Sequence, residues 1–178
     1  IYIPDDKNSF TFVNLLDSQG LVREDYDIFC KAAEASINNT REEVAFVAHL
    51  GDFVNDGNNE DYWDWVLNNK CFRNNAILPV TGNHETRVNS LVQSSNIDNA
   101  ILSHFNICNA PEQDLATGCY YSFEYMNTTF IILNTGDFDK YGYLSDKQFD
   151  WVVKTAKAAK TKWKVILSHK SPYSNGPH

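Results

Sequence analysis

Four strand-like runs in this chain each end in polar side chains able to hold a cation. Asp17 and Gln19 follow Phe10 to Leu16, and Asp52 follows Val44 to His49. Asn83 and His84 follow Ala76 to Val80, and His169 follows Val165 to Leu167. Carboxylate and amide oxygens together with imidazole nitrogens suit Mn, Fe or Zn better than a thiolate-seeking ion. An aspartate between two cations can bridge them, and two metals roughly 3.5–4 Å apart form the clamp used to hydrolyse phosphate esters. In that chemistry a bridging hydroxide attacks phosphorus in line, the cations absorb charge, and an acid protonates the leaving alkoxide. His84, beside Asn83, is placed for the last role. Taken singly, each residue has a plain structural explanation. Asp17 and Asp52 are acceptable turn residues, Asn83 tolerates a left-handed turn, and a lone histidine is commonly a hydrogen-bonded group at a core edge. Their recurrence behind four strands is what points to a shared site.

Ligands in an open α/β sheet collect outside the carboxyl ends of the strands, so the elements between these positions decide whether they meet. Strand and helix patterns alternate, which predicts an α/β architecture. Tyr26, Phe29, Cys30, Ala33 and Ile37 recur at helical spacing after the first strand, with Glu24 and Asp25 in the first turn. A Gly/Asn-rich loop then leads into a helix expected over 60–69, whose Tyr62, Trp63, Trp65 and Val66 read as packing residues. Residues 90–116 are polar and weakly periodic, with a short helix over 101–105. Tyr120 to Tyr125 and Thr129 to Leu133 read as a hairpin across Met126-Asn127-Thr128. Ser145 and Gln148 form a capping box before a helix that presents Phe149, Val152, Val153 and Ala156 on its apolar face and ends near Lys160. The strand from Trp163 to Leu167 then delivers His169.

The bulk numbers bound the function. The chain has 178 residues, enough for one domain with a real core. It is 43% hydrophobic and carries a net charge of −8, which argues against disorder and against a basic nucleic-acid or membrane surface. Its apolar runs are far shorter than a membrane span. It opens on Ile1-Tyr2-Ile3-Pro4, without a signal-peptide pattern, and reads as a mature or excised piece. The four cysteines lack the spacing of a zinc knuckle; Cys108 and Cys119 flank a polar loop and are candidates to pair. Glycosylation sequons begin at Asn38 and Asn127, and they lean the compartment towards the cell exterior or surface.

Asp17-Ser18-Gln19, Gly51-Asp52, Gly82-Asn83-His84-Glu85 and Ser168-His169 together resemble the first four motifs of the calcineurin-like metallophosphoesterases. Tyr120 to Phe123, Asn134 and the segment from Trp163 to Tyr173 bring the pattern nearest to the branch similar to purple acid phosphatases. The resemblance implies a layered αββα sandwich and two divalent metal ions, Mn, Fe or Zn. Asp17 and Gln19 would hold the first metal, Asp52 would bridge both, and Asn83 and His169 would hold the second. His84 would stabilise the transition state or protonate the leaving group. His178 sits at an offset where that branch places a substrate-facing histidine. Arg87 is a further candidate contact to phosphate, with a solvated loop arginine as its plain alternative. The implied substrate is a small or surface-exposed phosphate mono- or diester, with no nucleic acid expected.

The chain departs from the family pattern in three places. Gln19 stands where most members have histidine, and an amide oxygen is a weaker donor to Zn or Fe. Asn55 stands where the purple enzymes have the tyrosine behind their colour. The family's last motif, Gly-His-x-His, is absent, so residues 1–178 are expected to form the N-terminal part of a catalytic domain incomplete at its C-terminal side. Two rival readings follow: a degenerate, non-catalytic binding module on the same fold, and a nuclease of the same superfamily, which the acidic charge disfavours. Among the remaining polar residues, His49 is expected to make a structural hydrogen bond, His104 to lie on the surface, and Glu85 to orient His84 or start a helix.

Overall fold

The computed structural model describes residues 8–85, 100–107, 120–136 and 144–173. Arg87, Cys108, Cys119 and His178 lie outside them. The N-terminal half runs β1 (Thr11–Leu15), α1 (Arg23–Asn38), β2 (Val44–His49), α2 (Glu60–Leu67), α3 (Lys70–Arg73) and β3 (Ile77–Pro79). The rest runs α4 (Ile101–His104), β4 (Tyr121–Tyr125), β5 (Thr128–Ile132), α5 (Asp146–Ala158) and β6 (Trp163–Leu167).

Strands β1, β2 and β3 form one parallel sheet in that order, with Leu15 opposite His49 and His49 opposite Pro79. A second sheet has the order β4-β5-β6, antiparallel then parallel. Side chains alternate across a strand, and β2 shows what that does here. Phe46 and Ala48 point into a core shared with Phe130, Ile132 and Leu167 of the second sheet. Val47 points the other way, into a core with Tyr26, Cys30, Trp63 and Phe72 of α1 to α3. The layers are therefore helices, sheet, sheet and α5, the αββα sandwich expected from sequence. Aromatic rings fill the space between the sheets: Phe46 meets Phe130 edge-on at 5.4 Å and stacks on Phe12 at 5.3 Å. The Tyr121 hydroxyl ties the sheets together by donating to the Pro79 carbonyl at 2.7 Å.

Three local expectations are corrected. The helix expected over 60–69 ends at Leu67, and Asn69 turns extended to start α3; asparagine competes locally with helical hydrogen bonding and favours such caps. The hairpin turns on two residues, Met126 and Asn127, with Tyr125 paired to Thr128; Met126 takes a left-handed φ of 51°. In α5, Ser145 accepts from the Gln148 amide at 3.2 Å, as a cap should. The Gln148 side chain does not complete a capping box. It is fully buried and binds both the amide and the carbonyl of Asn134, at 2.9 and 3.0 Å. A buried amide needs such partners, and with Gln148 facing inward Phe149 is left 57% exposed. No helix among the described residues is long and apolar enough to cross a membrane.

Candidate metal centre

The loops after β1, β2 and β3 leave their sheet side by side. Leu50 donates to the Leu15 carbonyl and Val80 to the His49 carbonyl. Beyond the strands the Asp17 amide donates to Gly51 at 3.1 Å and the Gln19 amide to Asp52 at 3.2 Å. Both aspartates sit at φ 55°, in the left-handed region, which Asp tolerates better than most residues and which clusters at functional sites. Gly51, at φ 99°, lies against the Gly82 backbone and the His169 ring. A side chain at Gly82 would run into the backbone nitrogen and Oδ1 of Asp52. These two glycines let the second and third loops touch.

His169 reaches this rim from the other sheet. Its Nδ1 donates to the Leu50 carbonyl at 2.9 Å, across 119 residues. That bond fixes the ring so that Nε2 faces the Asp52 Oδ2 and the Asn83 Oδ1, each at 3.3 Å. A backbone acceptor on the far nitrogen is the usual way a metal-binding histidine is oriented. Ligand atoms of Asp17, Asp52 and His169 all lie within 4.8 Å of one another. Gln19, Asn83 and His84 line the same cleft of about 760 Å³, together with Lys170 and Ser171. The cluster gathers five of the sequence-derived ligand candidates, Asp17, Gln19, Asp52, Asn83 and His169, at one place.

The electrostatics follow from packing. Burial pushes the Asp52 carboxyl upward, but hydrogen bonds from His169 and from the His84 amide, with the nearby imidazoles, bring it below its ordinary value. The Asp52 carboxylate in turn raises the His169 pKa against the effect of burial. His84 is anchored by Nδ1, which donates to the Asn55 carbonyl at 2.6 Å, leaving Nε2 3.9 Å from Asp52 Oδ2. Asn55 thus orients His84 through its backbone, a role open to any residue type.

Glu85 does not orient the His84 ring. It is fully buried, and its two oxygens accept from the amides of Asp52, Phe53, Val54 and Gly82 at 2.9, 2.7, 3.4 and 2.8 Å. Burial and the Asp52 charge push its pKa up to about 7, while the amide donors pull it down. It is a clamp between the second and third loops. His49 makes the expected structural bond, 3.0 Å from Nε2 to the Ser18 hydroxyl, which itself donates to the Phe53 carbonyl at 2.9 Å. With the hydroxyl proton committed, Nε2 carries the imidazole proton, and the buried Nδ1 has no partner among the described residues. His104 is half-buried: its ring stacks on Trp63 at 4.1 Å and its Nδ1 binds the Ala100 carbonyl, while its Nε2 meets the exposed Glu60 carboxylate at 3.1 Å. Sequence reasoning gave no hint of the Glu85 clamp, because its partners are backbone amides, which carry no residue signature.

A sandwich of two sheets brings acids, amides and imidazoles together on adjoining strand-end loops, in a cluster that could hold a metal ion. A family model for calcineurin-like phosphoesterases matches residues 19–178, and the chain belongs to that family. Its members are in general metal-dependent phosphoesterases, and the cluster of Asp17, Asp52 and His169 is compatible with that chemistry. No curated protein matches the chain.

Proposed function

We propose that this protein hydrolyses phosphate mono- or diesters at a dinuclear centre of divalent Mn, Fe or Zn, in the manner of the branch similar to purple acid phosphatases. The observation that carries the reading is the approach of Asp17, Asp52 and His169 to a common point from three loops of two sheets. The donor set fits a metal for a second reason: Gln19 Oε1 is buried without a hydrogen-bond partner among the described residues, and a native structure rarely leaves such an oxygen unpaired unless something binds it. Asp17 and Gln19 would hold one ion, Asn83 and His169 the other, with Asp52 between them. The ions would supply an activated water and neutralise charge on the phosphoryl oxygens.

The chain's own residues do the remainder. Leu50 and Asn55 hold His169 and His84 by their Nδ1 protons, so both Nε2 atoms face the cleft. A proton on His84 Nε2 would pass to the alkoxide as the P–O bond breaks. Arg87 and His178 are proposed to contact the phosphoryl group, and the acidic chain favours a small or surface-exposed ester over nucleic acid.

Calorimetric titration of the apo protein with Mn²⁺, beside a p-nitrophenyl phosphate assay, tests the proposal. Saturable binding at two sites and metal-dependent turnover are expected. Absence of turnover with each of the three metals, in protein shown to be folded, overturns it. Binding without turnover would favour the non-catalytic reading that Gln19 suggests.

A further inference from the structure

We propose that Cys30 and Cys71 close a disulfide that bolts α1 to α3 behind the candidate metal centre. Both are free thiols, each about 1% exposed, and both belong to the core between the first sheet and its helices. The packing of the two elements brings the cysteines together: Cys30 of α1 and Cys71 of α3 lie in one buried cluster, and Asn69, two residues before Cys71, donates to the Asp27 carboxylate at 3.1 Å, three residues before Cys30. The Cys71 side chain is also the strongest influence raising the Cys30 pKa. The two elements are thus registered side by side at the two cysteines. Disulfides require such proximity of the two backbones.

The placement gives the link a consequence for the site. Phe72, next to Cys71, packs against His49 at 5.7 Å and Phe53 at 6.0 Å. Phe53 and His49 themselves stack at 3.7 Å directly under the loop that carries Asp52. A covalent link at Cys71 therefore fixes the floor of that loop.

The reaction is exchange with an oxidised dithiol or oxidised glutathione. A thiolate of one cysteine attacks the reagent disulfide and expels one thiol; the second cysteine then attacks the mixed disulfide and expels the other. One S–S bond forms, one breaks, and the reagent leaves as two thiols. Each cysteine is about 1% exposed, so a reagent disulfide cannot reach either sulfur once the helices are packed. Exchange therefore takes place while the chain folds.

The test is to fold the full chain in a glutathione redox buffer, quench with acid, alkylate in denaturant and map peptides without reduction. A cross-linked pair containing Cys30 and Cys71, lighter by two hydrogens, is expected. The same pair is expected in a Cys108→Ser/Cys119→Ser variant, where no other partner competes. Alkylation of both Cys30 and Cys71, or linkage of either to another cysteine, overturns the proposal. In that variant reduction should lower the Tm by roughly 5–15 °C; a Tm that stays put overturns the role as a brace even where the link forms. None of these readouts involves metal or turnover, so the result stands or falls apart from the phosphoesterase reading.

Discussion

Among the described residues the two sheets have three strands each, yet they hold their strand ends differently. In the first, the loops after β1, β2 and β3 are laced to one another by backbone bonds and by the Glu85 carboxylate. Their floor is a continuous aromatic layer of His49, Phe53, Phe72 and Trp63. In the second sheet every residue of β5 is buried, while β6 at the edge leaves Trp163 and Ile166 60% and 54% exposed. The helix above it, α5, likewise exposes Phe149. Asp17, Gln19, Asp52, Asn83 and His84 thus stand on the well-braced half, and His169 alone is contributed by the loosely covered one. What ties it in is the bond to Leu50 and the contacts of its Nε2 with Asp52 and Asn83. Rigid elements supporting a site make it precise, so the precision here comes from the first sheet.

The largest effect expected from breaking this arrangement is at Asp52, where the halves meet. Asp52→Asn keeps the shape but removes the charge shared by His169 and the proposed ions. Metal affinity and phosphatase turnover should each fall at least about 100-fold, since even residues behind the ligands are commonly worth 10- to 100-fold. Titration calorimetry and steady-state assays read the change, and retention of two tight metal sites would show that Asp52 does not bridge.

Next comes the clamp. Glu85→Gln turns one acceptor oxygen into a donor facing amide hydrogens. Because the Glu85 carboxyl is only partly ionised at neutral pH, the loss is that of leaving buried amide donors unsatisfied, about 1–3 kcal/mol, seen as a lower urea midpoint. Metal affinity should weaken with it, although Glu85 touches no metal in the proposed scheme. A variant with an unchanged midpoint would mean that the backbone bonds between the loops suffice without it.

The floor of the first half also makes it acid-sensitive. Burial lowers the His49 pKa to about 3, against an ordinary value near 6.5. Between those values the unfolded chain binds a proton that the folded chain does not, so stability is full above pH 6.5 and drains as pH falls, by about 1.4 kcal/mol per pH unit at most. His49→Gln should flatten this slope in acid whatever its own cost at neutral pH. Equal slopes for the two proteins, measured by denaturation between pH 4 and 6.5, would remove His49 as the cause.

How much of this was legible beforehand follows the same division. The ligand candidates and the strands behind them were readable because each strand is a short apolar run with a polar end, and Phe46, Val47 and Ala48 of β2 alternate between two cores. The brace was not readable. Glu85 acts on amides more than thirty residues away in Asp52 to Val54, and although His49 was expected to hydrogen-bond, its partner Ser18 lies 31 residues away; neither set of partners leaves a local pattern. The α5 face was misjudged for a related reason. Periodicity ranked Phe149 above Gln148, but the open backbone groups of Asn134 beyond β5 demanded an amide.

The smallest expected effect sharpens the contrast within the second sheet. Ile131 and Ile166 are paired neighbours on β5 and β6, the same residue type on the same face. Ile131 is fully buried and Ile166 is 54% exposed. Ile131→Ala should cost about 2–5 kcal/mol, the range for emptying a packed core position. Ile166→Thr retains the branched side chain a strand prefers and should shift stability by no more than about 0.5 kcal/mol. The pair therefore measures how abruptly the packing on that face of the second sheet ends at its edge. A large loss at Ile166 would mean that this edge is covered in solution, and that His169 rests on firmer support than its exposed strand implies.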